Sequence, residues 1–204
     1  MIYQFKLIEK FLLTIDLIPH PFTDASSSVG LGFALGTAVK LKITDQLSFN
    51  LKDVAEIARD AEVSEIGAEL ILNCLEALGY AQKQGRKYGF TRRGFKNLSP
   101  YSAINFRHFI LFCDYLYKSY LDLDKTIQSG KNHGASPLEK MTEYEWELFS
   151  RAMIDIARTM YKEVAKKIIV ASTASKMLDL GGSHGLYSIG LCGLHPNLTS
   201  TIVD

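Results

Sequence analysis

The sequence has no excess of charge of one sign, because its 23 Lys and Arg residues nearly balance its 22 Asp and Glu residues for a net charge of +1. A chain-wide basic field that would attract nucleic acid is therefore absent, although a local basic patch is not excluded. No uncharged apolar run approaches the ~18 residues that would span a bilayer, and the apolar N-terminus carries charges that a signal peptide lacks. These absences predict a soluble protein.

Cysteine is also scarce. Cys74, Cys113 and Cys192 are far apart and match no metal-ligand spacing. We therefore expect three small buried side chains, no bound metal and a reducing, cytoplasmic compartment. What the sequence does have is ordinary globular composition, with 47% hydrophobic and 22% charged residues in 204, enough for one large or two small domains.

The first hundred residues predict helices followed by a hairpin. Residues 2–18 are apolar on more than one side, which predicts a helix that packs on two sides, one of them against a second subunit; a helix that lies only on its own core is the alternative. Further helices are predicted from the four-residue spacing of apolar residues between 35 and 47, and from N-caps at Asn50 and Ser64. The apolar contacts of the helix after Ser64 are expected from Ile66, Leu70, Leu72, Leu75 and Leu78. A hairpin around Gln84-Gly85 completes a pattern typical of a winged-helix domain, over about residues 30–100.

Residues 101–170 predict more helices. An aromatic-rich stretch over 101–130 is followed by an apolar stripe from Trp146 to Ile168 that steps by three or four residues. This stripe predicts one continuous, mostly buried helix over 143–168, roughly 35 Å long at ~1.5 Å per residue.

The final stretch, "MLDLGGSHGLYSIGLCGLHPNLTSTIVD", predicts a strand, a glycine turn, a helix and a second strand that ends at Asp204. Glycines allow a backbone to approach a ligand closely, and a carboxylate about 20 residues later is placed to accept ribose hydroxyls. The dinucleotide pattern G-x-G-x-x-G fails, because Ser183 and Leu186 stand where glycines are needed. The pattern D-x-G-x-G-x-G of S-adenosylmethionine sites fits better, with Asp179, Gly181 and Gly185 in position. A tight turn in an unrelated α/β protein is the alternative.

Taken together, these segments resemble the small-molecule O-methyltransferases of the plant caffeate and acetylserotonin type and their bacterial relatives. The hairpin domain, the "FSRAM" step of the long helix and "MLDLGGSHG…HPNLTSTIVD" occur in that family's order. The resemblance implies a mainly α fold with three parts. They are a winged-helix dimerisation domain (1–100), a helical linker (101–170) and the first βαβ part of a Rossmann-like α/β domain (171–204).

The resemblance also implies roles for particular residues. Gly181, Gly182 and Ser183 would lie at the methionine part of S-adenosylmethionine, and Asp204 would bind its ribose. Phe149 and Met153 would lie near the pocket of a small hydroxyl substrate, although ordinary core packing explains them equally well. Homodimerisation through the N-terminal helical region is implied too.

No catalytic base is apparent, since the five histidines (His20, His108, His133, His184 and His195) match no catalytic position of the family. We therefore expect a fragment that is inactive alone. Two alternatives remain open, an inactive dimerisation or regulatory module and a winged-helix DNA-binding regulator. The recognition helix of such a regulator, residues 65–79, carries acids and no Lys or Arg, but the following hairpin is basic.

The apolar N-terminal segment generates a first prediction. Replacing Phe5 and Ile8 by Asp is expected to give monomers or insoluble protein, because charges would enter a large apolar interface. Sedimentation velocity measures the oligomeric state, and an unchanged dimer would exclude this role for the segment.

Overall fold

The computed structural model describes residues 20–133 and 141–204, so the helix predicted over residues 2–18 lies outside the described residues. The described residues divide into two compact units, one within Met1–Ala135 and one within Ser136–Asp204. Most of the regular structure is helical, with one small sheet in each unit. Within the described residues, no helix is long and apolar enough to cross a membrane.

The first unit is a set of helices around a three-stranded antiparallel sheet, in which β3 lies between β1 and β2. The predicted hairpin is confirmed as β2 and β3, and Gly85 turns between them at φ +59°. In chain order the elements are α1 (His20–Lys40), a 3-10 turn (Ile43–Gln46), β1 (Lys52–Asp53), α2 (Val54–Asp60), α3 (Glu65–Ala77), β2 (Ala81–Gln84), β3 (Lys87–Phe90), α4 (Arg92–Leu98), α5 (Arg107–Ser119), a second 3-10 turn (Tyr120–Asp122) and α6 (Leu123–Ser129).

Helix starts in this unit follow local capping rules. Ser64 caps α3 as predicted, because its Oγ accepts the backbone N–H of Gly67 at 3.1 Å. Asn50 is not a cap, since the chain first pairs with β3 and helix α2 begins only at Val54. Asp53 caps α2 instead, its carboxylate accepting the N–H of Ala55 at 3.0 Å.

Buried side chains from the helices, the 3-10 turn and the sheet of the first unit pack together in one core. The predicted four-residue stripe is confirmed, although its second half lies on the 3-10 turn rather than on a continued helix. Expected core contacts at Ile66 and Leu70 are wrong, since these side chains are 76% and 62% exposed. Their side of α3 faces away from the core, which the opposite side reaches through Leu72 and Leu75. The large side chains that are fully buried are Ile43, Val54, Ile57, Leu72, Leu75, Tyr88, Phe90 and Leu98.

The second unit contains two helices followed by a parallel βαβ unit, as the motif predicts. Strands β4 and β5 pair in parallel with Lys176 opposite Thr199 and Leu180 opposite Val203. Ala165, Leu191 and Leu198 are the buried centre of a small core shared by α8, α9 and the loop before β5. The elements are α7 (Glu143–Ala157), α8 (Tyr161–Lys167), β4 (Lys176–Leu180), α9 (Leu186–Leu194) and β5 (Thr199–Val203).

The single long helix predicted over 143–168 is wrong, because the chain turns between α7 and α8. Thr159 lies in that turn, and its hydroxyl donates to the carbonyl of Ile156 at 2.7 Å. A threonine that bonds the preceding turn in this way competes with the helical backbone ladder. The apolar residues of the predicted stripe, from Trp146 to Ile168, are half-buried or exposed. The buried side chains of α7 include Leu148 and Ala152, which lie outside that stripe.

Arg107 ties the start of α5 to two other parts of the first unit. Its Nη1 donates to Thr44 Oγ1 at 2.8 Å and to the Leu98 carbonyl at 3.0 Å, and it lies 2.5 Å from Asp45 Oδ1. The side chain of Arg107 is only 15% exposed. Its loss would remove the charged donor from Thr44, Asp45 and the Leu98 carbonyl at a mostly buried position, which costs more than the loss of a solvated ion pair.

We predict that Arg107→Met lowers the free energy of unfolding by about 2 kcal/mol. The matched control is Arg59→Met, which removes an exposed pair with Asp60 and is expected to change stability by less than about 0.5 kcal/mol. Urea unfolding followed by circular dichroism measures both. Equal losses in the two variants would contradict the role of Arg107.

Candidate functional site

The turn after β4 has a backbone that few sequences adopt. Gly181 and Gly185 both have φ +69°, and Ser183 between them has φ +42°. Two glycines without a Cβ take this left-handed conformation freely, while Ser183 takes it at a steric cost. The pattern of glycines in the motif is therefore a direct consequence of the conformation of the turn.

Backbone hydrogen bonds fix both ends of this turn. The Gly181 N–H donates to the Val203 carbonyl at 2.7 Å, which continues the pairing of the two strands into the turn. The Gly185 N–H donates to the Gly182 carbonyl at 2.8 Å, and the Gly185 carbonyl in turn accepts from Ile189 in α9. The turn thus leads directly from a strand into a helix.

One side of the turn is closed by the chain itself and another is open. A Cβ on Gly182 would lie 2.7 Å from the Asp179 carboxyl and from Ile202, and a Cβ on Gly185 would lie 2.6 Å from Ile202. No atom lies within 4 Å of the place that a Cβ on Gly181 would occupy. The main chain is therefore accessible at Gly181 and closely packed at Gly182 and Gly185.

His184 contributes to the start of α9. Its Nδ1 accepts the backbone N–H of Leu186 at 3.2 Å, where Gly185, the N-cap residue, has no side chain to do so. The histidine side chain thus satisfies one main-chain donor at the helix start.

Asp204 lies at the same end of the sheet as the glycine turn. It directly follows Val203, which pairs with Leu180 and accepts the hydrogen bond from Gly181. Its side chain is exposed. Parallel strands bring their carboxyl ends together at one edge, and ligands of open α/β sheets bind at that edge.

Phe149 and Met153 lie one turn apart on α7, and both are half-buried. Phe149 meets the ring of Trp146 edge to face, with centroids 5.8 Å apart. Both residues are neighbours of the buried Leu148 and Ala152 rather than part of the fully buried layer. Their placement is compatible with both interpretations, core packing and a pocket wall.

A buried hydroxyl that the sequence did not single out lies behind the turn. Ser188, in the first turn of α9, donates to Asp179 Oδ2 at 2.5 Å and accepts from Ser200 at 2.9 Å. The only signal in the sequence is a polar residue within an otherwise apolar helix. Its partner Asp179 was recognised only as part of the motif.

The fold agrees with known methyltransferases. The chain is 22% identical to 3-hydroxy-5-methyl-1-naphthoate 3-O-methyltransferase of Streptomyces sahachiroi, over 191 residues that cover 91% of this chain and 55% of that protein. Its fold matches an O-methyltransferase family protein from Burkholderia thailandensis with a TM-score of 0.71, at 24% identity, over 93% of this chain and 55% of the other. Human N-acetylserotonin methyltransferase, solved in complex with S-adenosylmethionine, matches with a TM-score of 0.76, at 21% identity, over 95% and 59% of the two chains.

The fold is that of the O-methyltransferases. The resemblance stated from the sequence is therefore confirmed at the level of the fold. No protein-family model matches the chain. The chain spans just over half the length of the O-methyltransferases compared above.

Two cations of the hairpin, Lys83 and Arg86, contact residues of α3. Arg86 is paired with Glu65, and Lys83 donates to Asn73 at 2.7 Å and lies 4.0 Å from Glu69. Interaction with the Tyr88 hydroxyl raises the pKa of Lys83 above its ordinary value, so this group stays charged at neutral pH. Because phosphate binding requires cations that are free to contact it, these pairs weigh against the DNA-binding alternative.

The close packing of the turn generates a prediction. Gly182→Ala is expected to lower the free energy of unfolding by about 1–3 kcal/mol, because its methyl group would overlap the Asp179 carboxyl and Ile202. Gly193→Ala is the control, since a Cβ there meets nothing within 4 Å and alanine favours the helix by up to about 1 kcal/mol. Thermal unfolding compares the two variants. A Gly182→Ala protein as stable as Gly193→Ala would mean that the turn is not closely packed.

Proposed function

We propose that the chain is part of an S-adenosylmethionine-dependent O-methyltransferase of small molecules. The observation that carries the proposal is the open backbone at Gly181, with Asp204 at the end of the neighbouring parallel strand. A glycine turn between a strand and a helix, opposite a carboxylate, suits a ligand that has a polar amino-acid part and a ribose. The O-methyltransferase fold supports the same assignment.

The residues of the turn fit this cofactor. Gly181 leaves space for a ligand to approach the main chain, and Gly181, Ser183 and Gly185 all have positive φ, which gives the turn the tight curvature that a backbone site for a polar ligand needs. Gly181, Gly182 and Ser183 would contact the methionine part. The exposed Asp204 carboxylate would accept hydrogen bonds from the ribose hydroxyls.

S-adenosylmethionine supplies an electrophilic methyl group on a sulfonium sulfur. The residues of this chain bind and orient, and positioning of donor and acceptor contributes a large part of the rate in such a displacement. We assign no residue of the chain as the base that removes the hydroxyl proton. The histidine of the turn, His184, has its Nδ1 engaged by the Leu186 N–H.

We further propose a small hydroxyl compound as methyl acceptor. The name of the Streptomyces sahachiroi relative describes methylation of a hydroxynaphthoate. Phe149 and Met153 are half-buried and adjacent on α7, so they are the residues of the second unit that we assign to the substrate pocket. Flat apolar walls of this kind are typical of small-molecule sites.

The remaining parts of the chain fit a homodimeric enzyme. Helices α2 and α3 followed by the β2–β3 hairpin support a winged-helix dimerisation domain over 1–100, with a helical linker over 101–170 and the start of a Rossmann-like domain over 171–204. The exposed apolar pair Ile66 and Leu70, where a DNA reader has polar side chains, supports a protein contact rather than a nucleic-acid contact.

Calorimetric titration with S-adenosylhomocysteine, which lacks the reactive methyl group, tests the cofactor assignment. The chain is expected to bind one molecule, and Asp204→Ala is expected to bind about tenfold or more weakly because a charge-assisted hydrogen bond is lost. The control Glu147→Gln removes an exposed carboxylate of α7 and should bind like the wild type.

The 2′-deoxyribose analogue of the ligand completes a double-mutant cycle. If Asp204 binds the ribose, its replacement should cost much less affinity for the analogue than for the parent compound. Equal losses would remove Asp204 from the ribose site. A wild-type chain that binds neither compound would contradict the cofactor assignment and leave a pairing module.

A further inference from the structure

Ser188 is a buried hydroxyl at the centre of a chain of hydrogen bonds. It is 2% exposed, and it connects Asp179 at the end of β4 with Ser200 on β5. A polar side chain this deeply buried is retained only when its hydrogen bonds are made. Ser188 therefore links α9 to both strands that flank the glycine turn.

The direction of these hydrogen bonds is fixed by proton count. Each hydroxyl has one proton, and Ser188 donates its proton to the carboxylate at 2.5 Å. It accepts the proton of Ser200 at 2.9 Å. Short hydrogen bonds to a carboxylate are among the strong ones in proteins, so the Asp179 side chain is held in one orientation.

The orientation of Asp179 in turn determines where the turn can lie. The carboxyl group is packed so closely on Gly182 that even a methyl group there would be 2.7 Å from Asp179 Cγ and Oδ2. Ile202 packs against the same turn, because it would lie 2.7 Å from a Cβ on Gly182 and 2.6 Å from a Cβ on Gly185. A rotation of the Asp179 side chain would therefore open or displace the peptide of Gly182.

We propose that Ser188 is a positioning residue of the glycine turn, and that it holds the turn in its binding conformation through Asp179. The proposal rests on the assignment of this turn to the cofactor. Ser188 lies behind the turn and contacts the Asp179 carboxylate rather than a ligand. Its effect on affinity is transmitted through the backbone of Gly182.

The variants separate the hydroxyl from the volume of the side chain. Ser188→Ala removes the donor, Ser188→Cys keeps the volume with a weak donor, and Ser188→Thr restores the hydroxyl. The matched control is Thr199→Val on β5. It removes a hydroxyl that donates to the Ser175 carbonyl at 3.0 Å and that has no link to the turn.

Two measurements on the full chain test whether Ser188 positions the turn. The first is hydrogen exchange of the Gly181 and Gly185 amides without ligand, because both are hydrogen-bonded within the turn. The second is the affinity for S-adenosylhomocysteine. Ser188→Ala and Ser188→Cys are expected to exchange at these two amides about tenfold faster and to bind about tenfold more weakly. Ser188→Thr and Thr199→Val are expected to behave like the wild type in both readouts.

Unchanged exchange at both amides in Ser188→Ala and Ser188→Cys overturns the proposal, whatever the affinity. Equal changes in Thr199→Val overturn it as well, because the effect would then be general destabilisation. Faster exchange in a protein whose wild type binds no ligand supports the positioning of the turn and contradicts the cofactor assignment instead. Normal affinity in Ser188→Ala, with ligand bound by the wild type, overturns the link between Ser188 and binding.

Discussion

The second unit depends on the contact between the Asp179 carboxylate and the main chain of Gly182. Only a residue without a Cβ permits this approach, and Ser188 holds the carboxylate in place. The contact joins the end of a strand, the turn and the following helix into one arrangement. Asp179 and Ile202 pack against the turn at Gly182, whereas the main chain at Gly181 faces open space.

This arrangement also accounts for Ser183, which replaces a glycine of the motif. The turn keeps a left-handed backbone at Ser183, with φ +42°, although this conformation costs about 1 kcal/mol for a residue with a Cβ. Gly182 before it and Gly185 two residues after it are both packed against Ile202, and this packing constrains the path of the chain at Ser183. A local preference is overridden here by packing.

Features that follow local rules were predictable from the sequence, and features that depend on packing were not. The cap at Ser64, the hairpin turn at Gly85 and the strand–turn–helix–strand order of the motif all follow from residue type and spacing. The break near Thr159 was missed because apolar periodicity continues through it. The role of Ser188 was missed because a serine in an apolar helix acquires meaning only when its partner on another element is known.

The pairing of charged residues in the first unit could not be predicted from the sequence either. The sequence contains a helix with acidic residues followed by a basic hairpin. Considered without the helix, the basic hairpin indicates nucleic-acid binding. In the folded unit two of these cations lie against acids of the helix, because Arg86 pairs with Glu65 and Lys83 approaches Glu69. Counterion release, which drives binding to phosphates, needs cations that are not already paired within the protein. Binding that used these two cations would first have to break contacts that hold the hairpin against its own helix. The charge pattern of this unit is therefore better explained as an internal fit between α3 and the hairpin than as a surface for nucleic acid.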